Sequence, residues 1–143
     1  MNDPKIREMD QDEDFALWFH ELLSIEAEAG DRPGPPEERY LVLSNEIGDW
    51  VGGLRFTLRG GVAQLIGVGV TPGERHQGHA HRLLAAFEER AVEEDAHLIE
   101  FWTDDLRAEG LLAALGWRRV LQRDGYIGNR TWLLMEKAVG AAA

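Results

Sequence analysis

The chain has 143 residues, of which 44% are hydrophobic and 29% charged, values that favour one soluble globular domain spanning residues 1–143. Its net charge of −11 argues against a nucleic-acid surface or an anionic membrane surface, and favours cationic partners. The absence of cysteine excludes disulfides, cysteine metal sites and a cysteine acyl-enzyme, and suits a cytoplasmic protein.

The first predicted elements lie at the acidic start of the chain, where residues 1–40 hold 12 acidic and 4 basic residues. A short strand is predicted over residues 5–9. A helix with one buried face follows and ends near Gly30, because its apolar residues recur at helical spacing. These residues are Phe15, Trp18, Phe19, Leu22 and Leu23. A Gly- and Pro-rich loop over residues 30–36 and a turn of helix at Glu37 and Glu38 come next.

An antiparallel meander of three strands is predicted after this loop. The strands cover residues 39–45, 50–58 and 62–70, and turn-forming residues separate them. The apolar spacing then returns to the helical period from Gly78 to about Asp95.

The last third of the chain is predicted to contain a strand, a short helix and two further strands. The strand covers residues 97–103, and Asp105 caps a helix that runs through Leu115. The closing strands cover residues 117–122 and 131–138, and an Ala-rich tail over residues 138–143 is expected to be disordered.

This order of elements indicates a mixed α/β fold of the α+β type. We expect a central, mostly antiparallel sheet flanked by helices, with a core over about residues 4–138. One parallel crossover is expected between the fourth and fifth predicted strands, because a helix connects them.

The segment between those two strands carries the most informative motif, Arg75-His76-Gln77-Gly78-His79-Ala80. It joins the end of a strand to the start of a helix. A helix N-terminus presents unpaired N–H groups and the positive end of the helix dipole, so it can bind phosphate where glycine leaves the approach open. Arg75 adds a fixed positive charge.

This motif resembles the acyl-CoA pyrophosphate loop of the GNAT N-acetyltransferases. In that family two residues separate an Arg or Gln from a Gly, and one further residue separates this Gly from a Gly or Ala. Arg75, Gly78 and Ala80 match these three positions. A second match, in which the spacing is kept, is carried by Asp105, Ala108, Leu112 and Gly116-Trp117. The resemblance covers about residues 4–138.

The resemblance implies that acetyl-CoA is bound as the acyl donor. Backbone groups of the fourth strand would pair with the pantetheine arm, the loop would hold the pyrophosphate, and Asp105 would touch the arm where the fourth and fifth strands separate. The residues implied to bind acetyl-CoA are Val68, Gly69, Val70, Arg75, His76, Gln77, Gly78, His79, Ala80 and Asp105.

The same resemblance leaves the catalytic residues open. The tyrosine that commonly protonates the departing thiolate is replaced by Leu112, and the glutamate used as base in histone-type members is replaced by Gln64. Glu100, a charge within an otherwise apolar strand, is the candidate base. Tyr126 is the candidate acid, and solvent is the alternative.

These features predict an N-acetyltransferase that moves an acetyl group to an amine of a small molecule or peptide by direct attack. The acceptor is expected to be cationic, and no nucleic-acid or membrane partner is expected. The alternative is a non-catalytic acyl-CoA-binding or regulatory module, favoured by Gln64 and Leu112. No metal site is expected, because the loop histidines lack the i, i+4 spacing of helical metal ligands. A homodimer is an open possibility.

Overall fold

The computed structural model describes residues 4–140. By its internal contacts the chain divides into two units, one over residues 1–35 and one over residues 36–143. No helix in the described part of the chain is long and apolar enough to cross a bilayer.

The described part of the first unit, residues 4–35, contains one helix, α1 (Glu13–Ala29). Asp12 is its N-cap, and its carboxylate accepts a hydrogen bond of 3.0 Å from the Phe15 N–H. The helix ends at Gly30, as predicted. The predicted buried face does not form within this unit. Its aromatic side chains pack on one another but are 44–57% exposed, Leu23 is also exposed, and the buried residue of the helix is Ala27.

The predicted strand over residues 5–9 does not form; these residues are irregular. Ile6 and Met9 are its only apolar side chains. Their spacing of three would place them on opposite faces of a strand, so neither face could be buried. Ile6 is accordingly fully exposed.

The second unit begins with the predicted meander. Its strands are β1 (Glu37–Ser44), β2 (Trp50–Arg59) and β3 (Val62–Val70), all paired antiparallel. The expected helical turn at Glu37 and Glu38 is wrong. These residues begin β1, because they pair in register with Leu58 and Thr57 of β2.

The remaining elements follow the predicted order. They are α2 (His79–Glu93), β4 (Leu98–Thr103), α3 (Ala108–Ala114), β5 (Arg118–Arg123) and β6 (Trp132–Ala138). The six strands form one mixed sheet in the order β1-β2-β3-β4-β6-β5, so β1 and β5 are its edges. The parallel crossover lies between β3 and β4. These are the fourth and fifth strands of the prediction, and their numbers are lower by one because the predicted strand before α1 is absent.

The core lies on one face of the sheet. Apolar residues of α2 and α3 pack there against inward-facing side chains of the four central strands. The largest fully buried members are Phe56, Leu65, Phe87, Ile99, Leu112, Leu133 and Met135. Because side chains alternate along a strand, polar residues between these positions lie on the opposite face.

Ala138 and Val139, the first residues of the predicted tail, are ordered rather than disordered. Ala138 belongs to β6, and Val139 is buried, with its N–H donating to the His97 carbonyl at 3.0 Å. The remainder of the predicted tail, residues 141–143, lies outside the described residues.

Candidate functional site

Strands β3 and β4 separate part of the way along their length. Their parallel pairing runs from Val62↔Leu98 to Leu65↔Phe101 and ends there. Strand β3 continues to Val70, where it pairs with β2 on its other side. A strand edge therefore opens over residues 66–70, which include Val68, Gly69 and Val70 of the predicted arm-binding set. An extended ligand can pair with such an edge.

The segment after β3 forms a concave backbone loop. A single 3₁₀ turn over Pro72–Glu74 is followed by Arg75 in an extended conformation, and α2 begins at His79 with Gly78 as its N-cap. His76 and Gly78 both have left-handed backbones, with φ of 65° and 79°. Successive N–H groups in such turns form anion-binding nests.

The approach to this loop is open. A Cβ atom built on Gly78 would have no heavy atom within 4 Å. Glycine adopts φ of 79° without steric cost, so this position combines the required backbone conformation with free space in front of the helix N-terminus. Both properties suit a phosphate held by backbone N–H groups and the helix dipole.

Arg75 is anchored to the end of β3. Its Nε donates to the Val70 carbonyl at 3.2 Å. This bond holds the guanidinium at the junction between the opened strand edge and the loop. It also engages the Val70 carbonyl, which leaves that group with reduced capacity to pair with a pantetheine arm.

His79 has a buried nitrogen without a partner. Its Nε2 lies 3.4 Å from Oε2 of Glu74, while its Nδ1 has no hydrogen-bond partner in the described structure. Both residues line a cleft of about 370 Å³ that also includes Leu111. An unpaired buried polar atom is costly, so a bound ligand that supplies a partner would be stabilised at this point.

Glu100 and Gln64 are direct neighbours across the parallel pair. They are in register, and the Gln64 amide donates to Oε1 of Glu100 at 3.3 Å. Both side chains are partly buried, on the sheet face opposite the core. Gln64, at the position of the glutamate in histone-type members, and the candidate base Glu100 thus lie together, one residue before the last pair of β3 and β4.

The surroundings of Glu100 leave its carboxylate without a cationic partner among residues 4–140. Its register neighbour on β6 is Glu136, which forms an ion pair with Arg118. Glu100 therefore contacts Gln64 and no cationic side chain in this part of the chain.

Tyr126 lies in an aromatic group at the far end of β4. Its ring centre is 5.6 Å from that of Trp102 and 6.2 Å from that of Trp132. The Arg123 guanidinium lies over the Tyr126 ring, with Cζ 4.7 Å from the ring centre. Sequence reasoning missed Arg123, although it stands in register with Trp132 across the β5–β6 hairpin.

Asp105 orders the turn before α3 rather than capping the helix directly. The N-cap of α3 is Arg107, and the Asp105 carboxylate accepts from the Arg107 N–H at 3.0 Å. The Arg107 guanidinium, 3.2 Å away, lowers the pKa of Asp105. Asp105 N–H donates to the buried Thr103 hydroxyl, so the carboxylate is held at the C-terminal end of β4.

Leu112 is a core residue. It is 1% exposed and packs in the main hydrophobic cluster. Gly116 follows α3 with φ of 92°, as expected for a residue that ends a helix in the left-handed region. The position that carries a tyrosine in much of the family thus contributes packing here, and leucine cannot donate a proton.

No group of three or more His, Asp or Glu side chains within residues 4–140 lies close enough together to hold a metal ion. His20, His76 and His81 are exposed. No metal ligand set is therefore assigned in this part of the chain.

Comparison with known families identifies the family of the chain. The family model of the GNAT acetyltransferases matches residues 4–117, which include the loop, the opened strand edge and Glu100. The chain belongs to the GNAT acetyltransferase family. The fold matches this family as well, with a mixed six-stranded sheet whose parallel pair is β3 and β4. GNAT enzymes use acetyl-CoA as the acetyl donor.

Solved structures show the same fold at low sequence identity. A proposed acetyltransferase from Agrobacterium tumefaciens is similar with a TM-score of 0.76 and 18% identity, over 97% of this chain and 100% of that one. The ribosomal-protein-S18-alanine N-acetyltransferase from Escherichia coli gives 0.69 and 16%, over 90% and 88%.

A GNAT family acetyltransferase from Elizabethkingia anophelis was solved with acetyl-CoA bound. It is similar to this chain with a TM-score of 0.66 and 11% identity, over 71% of this chain and 76% of that one. A sequence comparison with curated proteins finds no match.

Proposed function

We propose that this GNAT protein transfers an acetyl group from acetyl-CoA to an amine of a small molecule or peptide by direct attack. The observation that carries the proposal is the open loop at Gly78, which joins directly to the separated edge of β3. Phosphate groups and an extended amide-containing arm are the two chemical features that such a junction would bind together.

Different residues are proposed to bind different segments of acetyl-CoA. N–H groups from Gln77 to Ala80 and the side chain of Arg75 hold the pyrophosphate. Backbone groups of Val68 and Gly69, with the Val70 N–H, pair with the pantetheine arm. His76 and Asp105 border the ligand at the two ends of the separated strands. The unpartnered Nδ1 of His79 receives a hydrogen-bond partner from the ligand.

In the proposed reaction Glu100 prepares the acceptor. An amine with an ordinary pKa of about 10.4 is protonated at neutral pH and must lose its proton to attack. Glu100 accepts that proton, directly or through water, while the Gln64 amide orients its carboxylate. The thioester supplies the acetyl group, a C–N bond forms, and the C–S bond breaks.

The proton required by the leaving thiolate comes from Tyr126 or from solvent. A thiol has an ordinary pKa of about 8.5, so a thiolate leaves acceptably near neutral pH without a strong acid. Leu112 has no role in this step, because it is buried in the core. The reaction then proceeds without a covalent enzyme intermediate.

The acidic surface favours acceptors that arrive as cations. The chain carries a net charge of −11, and 12 of its acids lie within residues 1–40. Such a field raises the local concentration of a positively charged amine. A cytoplasmic location and a homodimer remain predictions from the sequence.

The direct test has two measurements on the same protein. Calorimetry with CoA measures binding, and release of free thiol from acetyl-CoA in the presence of an amine panel measures transfer. Binding with transfer supports the enzyme. Binding without transfer to any amine favours the alternative, a non-catalytic acyl-CoA-binding module with Gln64 and Leu112 in place of catalytic groups. No binding at millimolar CoA would overturn both.

A further inference from the structure

The aromatic rings of Trp102 and Tyr126, beyond Glu100 on the chain, pack against the positively charged side chain of Arg123. The guanidinium of Arg123 lies over two rings, with Cζ 4.7 Å from the centre of Tyr126 and 5.5 Å from that of Trp102. Arginine stacks well on aromatic faces, because its planar charge is weakly hydrated and is attracted to the negative face of the ring. The rings therefore fix the position of this charge.

Hydrogen bonds within the β5–β6 loop keep this support in place. Trp132 Nε1 donates to the Ile127 carbonyl at 2.9 Å, and the Tyr126 N–H donates to the Arg130 carbonyl at 2.9 Å. Arg130 is joined to Asp104, at the end of β4, by an ion pair of 2.7 Å. The loop is thus tied to the strand that carries Glu100.

The charge of Arg123 is not neutralised by the surrounding protein. Arg118, Arg119 and Arg130, its neighbours on the same hairpin, each form an ion pair with a carboxylate. No carboxylate within residues 4–140 lies at ion-pair distance from Arg123. Its guanidinium, exposed and stacked by its face, keeps N–H donors available at its edge.

This charge lies beside the proposed reaction centre. Trp102 is two residues beyond Glu100 on the same face of β4, a separation of about 6.6 Å along the strand. It is also the first residue of β4 beyond the last pair with β3, which is Leu65↔Phe101. The Trp102 ring that supports the Arg123 guanidinium therefore lies where β3 and β4 begin to separate, on the face of the sheet that carries Glu100.

We propose that Arg123 is the recognition site for a carboxylate on the acceptor, so that the substrates are amines that also carry a carboxylate. This inference rests on the proposed acetyltransferase function and specifies its acceptor class. The amine of such a molecule lies at Glu100, and its carboxylate receives the fork of N–H donors from Arg123.

The arrangement favours a carboxylate over a second cation. The ring faces are already covered by a guanidinium tethered to the same hairpin, so an incoming cation would have to displace it and overcome its repulsion. A carboxylate is attracted to the same charge and needs no displacement.

Bisubstrate probes test this subsite without knowledge of the natural acceptor. In each probe the CoA sulfur bears a CH₂–C(O)–NH linker that ends, after one to four methylenes, in a carboxylate, in the matching carboxamide or in an ammonium. Calorimetry gives the affinity of each probe for the wild type and for R123M, in which a flexible apolar side chain preserves packing on the rings. R118M is the matched control on the same strand.

We expect the best carboxylate probe to bind the wild type about 10- to 100-fold more tightly than its carboxamide, as for one charge-assisted hydrogen-bonded pair. R123M should remove this difference and leave the affinities for the carboxamide and for CoA unchanged. R118M should keep the difference. R123K should restore only part of it, because lysine lacks the planar fork.

The contrary outcomes are distinct. Equal affinity for carboxylate and carboxamide probes, or a difference that survives R123M, would overturn the subsite. Tightest binding of the ammonium probe, improved further in R123M, would show that the rings receive a cation from the acceptor and that the carboxylate assignment is wrong. Failure of CoA itself to bind would overturn the proposed function, whereas CoA binding without carboxylate preference overturns the subsite alone.

Discussion

Gly78 combines two properties that no other residue type would provide at the N-terminus of α2. Its φ of 79° lies in the left-handed region, and the space in front of its Cα is empty. His76, two residues earlier, has a similar φ but carries a side chain, which costs conformational energy.

Gly78→Glu should separate the binding role of this residue from its structural role. The new carboxylate would fill the phosphate approach and repel the ligand, so we expect CoA affinity to fall at least about tenfold. The left-handed backbone adds about 1 kcal/mol of destabilisation. Calorimetry with CoA and thermal melting of the free protein measure the two effects.

The control for Gly78→Glu is Gly73→Glu. Gly73 lies in the same loop, its Cβ position is also open, and its backbone is not left-handed. The control should bind CoA nearly as well as the wild type. A folded Gly78→Glu variant with unchanged CoA affinity would show that the pyrophosphate binds elsewhere.

Glu100→Gln tests the proposed base. Glutamine keeps the size of the side chain but cannot accept a proton from the acceptor, so kcat/KM should fall by about 10²- to 10⁴-fold at neutral pH. CoA affinity should not change. Glu136→Gln is the control, because Glu136 is the register neighbour and is held by Arg118. Equal losses in both variants would assign the effect to the charge of the sheet rather than to Glu100.

At the scale of elements, a bidentate ion pair joins α3 to β5. Arg119 donates to both carboxylate oxygens of Glu109, each at 2.7 Å. The hydrogen bonds from Arg119 lower the pKa of Glu109 below its ordinary value of 4.5. A lowered carboxyl pKa stabilises the folded state above that ordinary value, and the stabilisation is lost as the pH falls through the lowered pKa.

Glu109→Gln should therefore lower the melting temperature at pH 7 and have a diminishing effect as the pH falls below 4.5. The effect should be modest, since both side chains reach solvent. Melting curves from pH 7 into the acid range, with the exposed Glu89→Gln as control, measure it. A penalty that stays constant across the whole range would show that the pair acts through packing instead.

The order and type of the elements in residues 36–140 could be predicted because each has its own period and its own turn residues. The strand predicted over residues 5–9 was wrong because two apolar side chains do not define a buried face. The helical turn predicted at Glu37 and Glu38 was wrong because pairing with a strand about twenty residues away determines their conformation. Local patterns carry no information about such pairings.

Single residues and the loop of the candidate site could be proposed from the sequence, but the contacts between distant residues could not. The loop at Gly78 could be predicted from local sequence alone. Gln64 and Glu100 were identified separately, but their contact depends on a parallel register across 36 residues of chain. Arg123 was not identified, because only the folded hairpin brings its guanidinium over Trp102 and Tyr126.

For the whole molecule, ligand binding should appear as thermal stability. A ligand that binds only the folded state at 100 times its Kd adds about 2.7 kcal/mol, which for a chain of this size corresponds to a rise in Tm of about 5–10 °C. We expect this shift with acetyl-CoA and with desulfo-CoA, since the proposed contacts are to phosphates and amides. Absence of any shift at millimolar concentrations would contradict the binding mode.

The edges of the sheet have a consequence for the protein in concentrated solution. Every residue of the edge strand β5 is exposed, and Arg118, Arg119 and Arg123 stand among them. A strand from a second copy could continue the sheet only by stripping water from these long charged side chains. If copies of this chain associate, we expect the contact to avoid β5, and the protein should resist the edge-to-edge growth that leads to fibrils.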